Sequence, residues 1–83
     1  MITASQCRAA RGLLDWTQQE LADAAHVGVA TVRLFEAEAS DTRHATLEVL
    51  RRAFELAGVE FTDENGGGVG VRLRKRMRSK PTK

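Results

Sequence analysis

Residues 18–37, QQELADAAHVGVATVRLFEA, constrain the fold more than any other stretch of the chain, because their apolar and small residues suit two short helices joined by a tight turn. Thr17-Gln18-Gln19-Glu20 forms a capping box: a threonine hydroxyl can take the amide three residues on while the glutamate reaches back. That box predicts a helix running to about Ala25, with Leu21, Ala22 and Ala25 buried. After His26-Val27 a second helix from about Gly28 to Glu38 buries Val32 and Phe35 at helical spacing. Steeply crossing helices need a small residue where they touch, which Ala22 supplies, and Val27, Val32 and Phe35 pin one helix to the other. The plain alternative is a generic helical hairpin.

The flanking segments extend the pattern. Thr3 and Gln6 make another capping box, predicting a first helix to about Leu13 with Ile2, Ala10, Leu13 and Leu14 apolar; Asp15-Trp16 then breaks it. Ala39-Ser40-Asp41-Thr42 reads as a loop, and a fourth helix starts near Thr46. Leu47, Leu50, Phe54 and Ala57 lie on one of its faces and Glu48, Arg51, Arg52 and Glu55 on the other, with Gly58 placed to end it. Val59-Glu60-Phe61 and Val69-Gly70-Val71-Arg72-Leu73 then alternate, predicting an antiparallel ribbon around Asn65-Gly66-Gly67-Gly68. A lone hairpin is marginal in water, so this one must pack on the helices or pair across a dimer. The chain therefore divides into residues 1–61, helices and the start of the hairpin; 62–73, glycine-rich loop and second strand; and 74–83, a basic disordered tail.

At 83 residues this is one domain, too small to wall off a deep catalytic cleft. It shows no nucleophile–base pair, metal-ligand spacing or phosphate loop, so no enzyme, cofactor or metal is expected; Gly66-Gly67-Gly68 follows no βα unit and reads as a hairpin tip. No apolar run reaches membrane length, and Met1-Ile2-Thr3-Ala4 lacks the regions of a secretory signal, which predicts a cytoplasmic location without membrane partners. Cys7 reads as a small buried residue rather than a reactive thiol, and His26 as a turn residue rather than a pH switch or ligand. Charge is divided. Residues 1–71 hold six Arg and no Lys against eleven acids, whereas residues 72–83 hold seven basic residues and no acid. Attraction to phosphate is thus concentrated in Arg74-Lys75-Arg76 and their neighbours, unless the tail is only a solubilising end.

Residues 3–58 resemble the Cro/repressor-like helix-turn-helix family, also called the xenobiotic-response-element type. The likeness to a bacterial subgroup of short single-domain regulators runs further. It is carried by Cys7-Arg8-Ala9-Ala10-Arg11, Leu14-Asp15-Trp16-Thr17-Gln18-Gln19-Glu20-Leu21-Ala22, Phe35-Glu36, Thr46-Leu47, Arg51-Arg52-Ala53, Gly58-Val59-Glu60-Phe61, Glu64-Asn65-Gly66-Gly67-Gly68 and Gly70-Val71-Arg72-Leu73. The resemblance implies a mostly α, lambda-repressor-like helix-turn-helix bundle of four or five helices with a short C-terminal β-hairpin and basic tail. It also implies a homodimeric DNA-binding transcriptional regulator whose third helix enters the major groove of a double-stranded operator. By the same resemblance Gln18 meets a phosphate, and Val29, Ala30, Arg33 and Leu34 face base edges. Arg11 and Glu36 match an ion pair tying helix one to helix three, rather than two solvated charges.

The chain departs from that pattern at His26, where glycine is usual, and at Gly28, where Ser or Thr commonly caps the recognition helix; both remain compatible with a turn. The face of helix three offers Gly28, Val29, Ala30, Leu34 and Ala37, and only Arg33 can form bidentate bonds to a base. Arg43 and His44 partly offset acids in the loop after it. Two readings follow: a repressor binding operator DNA, or an antiactivator whose scaffold sequesters a transcriptional activator protein.

Overall fold

The computed structural model describes residues 2–39, 41–62 and 70–74. Its elements are α1 (Ala4–Leu14), α2 (Gln18–Ala25), α3 (Val29–Glu36), α4 (His44–Leu56), β1 (Val59–Thr62) and β2 (Gly70–Leu73). A mostly α bundle with a C-terminal β-hairpin is therefore the fold, with four helices among the described residues.

Local chemistry sets the helix ends. Both expected capping boxes form: Thr3 Oγ1 accepts from the Gln6 amide at 3.0 Å and Thr17 Oγ1 from the Glu20 amide at 3.0 Å, and each partner side chain accepts from the threonine N–H. At their C-terminal ends α1, α2 and α3 close in one way. Asp15, His26 and Glu38 adopt left-handed backbones with φ of 61°, 58° and 56°, and the next residue's N–H returns to the carbonyl five residues back. Gly58, with φ 103°, follows α4. Helix three consequently ends at Glu36 instead of continuing to Glu38. Helix four begins two residues before Thr46, at His44.

One core joins all the elements. Leu21, Leu50, Phe54, Val32, Val59 and Cys7 are its largest fully buried side chains, and Trp16, Val27, Val29, Leu47, Phe61, Val71 and Leu73 close its margins. Phe54 stacks on Trp16 with centroids 5.8 Å apart and meets the edge of Phe61 at 5.9 Å, while the Arg51 guanidinium lies 5.3 Å from the Phe61 centroid.

The hairpin is antiparallel, with Val59 opposite Leu73, Glu60 opposite Arg72, Phe61 opposite Val71 and Thr62 opposite Gly70. It meets the requirement of packing on helices. Buried Gln6 donates its amide to the carbonyls of Thr62 (3.4 Å) and Gly70 (3.1 Å), so α1 clamps the ribbon at its last pair before the connection between the strands. At the other end Arg74 donates its N–H to the Gly58 carbonyl and Nη2 to the Glu55 carbonyl at 3.0 Å. The hairpin tip and the tail from Lys75 onward lie outside the described residues.

Candidate functional site

The candidate site is built around α3, whose position is fixed from below. Glu36 is 4% exposed, and its carboxylate accepts four hydrogen bonds from two other helices. Arg11 on α1 binds it through both arms, Nε to Oε2 at 2.8 Å and Nη2 to Oε1 at 2.7 Å. Gln18 on α2 gives Nε2 to Oε1 at 3.0 Å, and the Cys7 thiol donates to Oε2 at 3.0 Å. Burial by itself raises the Glu36 pKa, but the hydrogen bonds from Arg11, Cys7 and Gln18 and the charge of Arg11 outweigh it, so its carboxyl lies below the ordinary carboxylate value. Arg11 is held charged by the same bonds. Burial and the neighbouring carboxylate push the Cys7 thiol far above its ordinary value, so Cys7 acts as a hydrogen-bond donor and not as a thiolate.

Two further contacts set the ends of this frame. Arg11 Nη1 donates to the Trp16 carbonyl at 3.0 Å, tying α1 to the start of α2. Arg8 Nη1 donates to the Glu36 carbonyl and Nη2 reaches Ser5 Oγ at 3.3 Å, which places a cation at the negative end of the α3 dipole.

Above the frame, α3 exposes Ala30, Arg33 and Leu34, and Ala37 is exposed at its C-cap. Leu34 is 48% exposed. An open groove of about 690 Å³ runs beside this face, lined by Arg8, Arg11 and Gln18 as well as by the α3 residues. On the other side of Leu34 a groove of about 350 Å³ is lined by Thr31, Asp41, Thr42, Arg43 and Thr46. Leu34 is therefore a ridge between two grooves, one edged by Arg8 and Arg33 and the other by Arg43.

The expected site residues are not all gathered here. Val29 is half-buried and packs against the core, so it does not belong to the exposed face with Ala30, Arg33 and Leu34. The reason is helical phase: as the first residue of α3 it sits one turn before Val32 and two before Glu36, both buried. Gln18 lines the groove, but its side-chain amide is engaged by Glu36. Arg43 and His44 are exposed at the N-terminal end of α4, where His44 Nε2 lies 3.3 Å from Glu48 Oε2. Arg74 is anchored at the opposite end of α4, about 20 Å away at 1.5 Å per residue. Lys75 and Arg76 lie outside the described residues. Arg8 was missed by the sequence reading as a site residue. Its one available signal is the i, i+3 spacing to Arg11, which puts both guanidinium groups on the side of α1 that faces α3.

A family model described as helix-turn-helix matches residues 8–63, spanning α1 from Arg8 through α2, α3, α4 and β1. No curated protein matches the chain significantly.

Proposed function

The chain belongs to the helix-turn-helix family of Cro/repressor type, a family of DNA-binding regulators, and from that premise we propose that it binds operator DNA as a homodimer with α3 in the major groove. The observation that carries this reading is the exposed α3 face, braced underneath by Glu36 and flanked by Arg8 on one side and Arg43 on the other. Arg33 is the side chain on that face able to form a bidentate contact with guanine, and Ala30 and Leu34 suit thymine methyl groups. Arg8 and Arg43 supply phosphate contacts that set register without reading sequence.

A second reading has its own observation. The half-exposed Leu34, between the small residues Ala30 and Ala37, also fits an apolar pocket on an activator protein, which would make the chain an antiactivator. Arg33→Ala and Leu34→Ala separate the two. On DNA the arginine variant costs roughly 1–3 kcal/mol at one base pair and the leucine variant little. On a protein the order reverses, since a buried leucine anchor is worth more than about 1 kcal/mol and a rim arginine less. Anisotropy titrations against DNA flanking the gene, repeated over a range of salt, supply the measurement. Salt-independent, weak binding unaffected by Arg33→Ala would remove the DNA reading.

A further inference from the structure

Helix α4 presents two distinct faces. Leu50, Ala53 and Phe54 are buried, whereas His44, Ala45, Glu48, Val49, Arg52 and Leu56 are exposed. At 100° per residue those exposed positions fill one continuous sector. Within it Ala45, Val49 and Leu56 make an apolar stripe; Val49 is 39% exposed and Leu56 is 78% exposed. A single exposed leucine means little, but this one shares its stripe with a valine two turns away and with charges that have an unusual arrangement.

Glu48 and Arg52 stand one turn apart without pairing. Glu48 faces His44 at 3.3 Å, and the next pair along is Arg51 with Glu55 at 2.9 Å. Among the described residues no carboxylate lies within ion-pair distance of Arg52. Reversal of the helix about its midpoint, near residue 50, interchanges the two positions. A second copy laid antiparallel would thus set Glu48 against the partner's Arg52 and Arg52 against the partner's Glu48, and would bring Leu56 to the first turn of the partner's helix, at His44 and Ala45, with Val49 near the axis.

We propose that this face of α4 docks on the same face of a second copy of the chain, an isologous contact with an apolar stripe and two symmetric ion pairs. The proposal rests on the homodimeric reading above and names its surface. The contact is small. A helix about 20 Å long crossing its own copy buries less than the roughly 1,200 Å² of a standard interface, so the free dimer is weak and is reinforced when two half-sites hold the copies together.

Symmetry gives the test. Glu48→Arg places arginines at both positions and Arg52→Glu places glutamates at both, so either homodimer sets like charges against each other. An equal mixture sets Arg against Glu at both contacts. Sedimentation equilibrium is expected to show each variant dimerising about tenfold more weakly than the unaltered chain, and the mixture recovering most of that loss. Circular dichroism checks that both exposed-site variants keep their helices. Unchanged dimerisation in both variants, no recovery on mixing, or an unaltered chain that stays monomeric to about 1 mM overturns the proposal. Failure of the α3 reading looks different: the monomeric variants then lack Arg33-dependent binding even to a single half-site.

Discussion

The two halves of this small bundle are held by opposite means. Around Phe54 the contacts are apolar and aromatic: Leu50 and Val59 share its core, Trp16 stacks on the fully buried ring and Phe61 meets it edge-on. Around Glu36 a buried carboxylate gathers Arg11, Gln18 and Cys7 from two other helices. Apolar packing is non-directional and tolerates small shifts, so it secures the fold; four directed bonds to one group fix α3 in position and rotation relative to α1 and α2. The half that carries the exposed recognition face is the half built for placement. Its energetic worth is conditional, because a buried ion pair is strong only while every partner is present.

The sharpest way to break the contrast is to empty the apolar half. Phe54→Ala removes a fully buried ring and is expected to cost about 3–5 kcal/mol, comparable with the whole stability of so small a domain. Urea unfolding followed by circular dichroism measures it; a loss under about 1 kcal/mol would mean that the aromatic cluster is not the anchor of the fold.

Next comes the polar half. Arg11→Met or Glu36→Gln alone is expected to cost on the order of 3 kcal/mol, and the double variant less than the sum, because each single change strands the other charge. Acid supplies a second measure. The folded-state pKa of Glu36 is depressed, so its stabilisation is fully present above the ordinary value of 4.5 and is lost as pH falls through the lower folded value. Glu36→Gln should therefore flatten the acid limb of the stability curve, whereas Phe54→Ala should lower the whole curve without reshaping it. A double-mutant cycle without coupling would show that Arg11 and Glu36 contribute to stability independently.

The apolar half was the more legible in the sequence. Periodicity placed Leu50 and Phe54 inward, alternation gave the hairpin its strands, and both capping boxes could be read because their partners are three residues apart. The polar half depends on distant partners. Cys7 and Glu36 are 29 positions apart and Gln18 and Glu36 are 18 apart, and no local pattern announces either contact. The Arg11 and Glu36 pairing was an expectation only through family resemblance. Val29 was assigned to the exposed face by that same resemblance, although its phase with Val32 and Glu36 argued for the core margin. Arg74, grouped with the tail by composition, is tied to α4 by backbone geometry that charge counting does not register.

The smallest expected effect lies in the turn that joins α2 to α3, where two residues are the reverse of what local preference favours. His26 occupies a left-handed backbone at φ 58°, a region glycine enters freely and a side chain enters at a cost of about 1 kcal/mol. Two residues later Gly28 caps α3 at φ −74° and ψ 146°, a conformation open to any residue, and contributes no side-chain hydrogen bond. A Cβ added at Gly28 meets nothing within 4 Å, so Gly28→Ser has room to place its hydroxyl over the first α3 amides and also narrows the unfolded ensemble. His26→Gly relieves the strained backbone but widens that ensemble, so its net gain is expected to be at most a few tenths of a kcal/mol, whereas the two effects of Gly28→Ser add and reach up to about 1 kcal/mol. Thermal unfolding resolves them as shifts of roughly 1–6 °C in a domain of this size. A decrease in Tm for Gly28→Ser would show that the start of α3 has no free amide for a hydroxyl to satisfy.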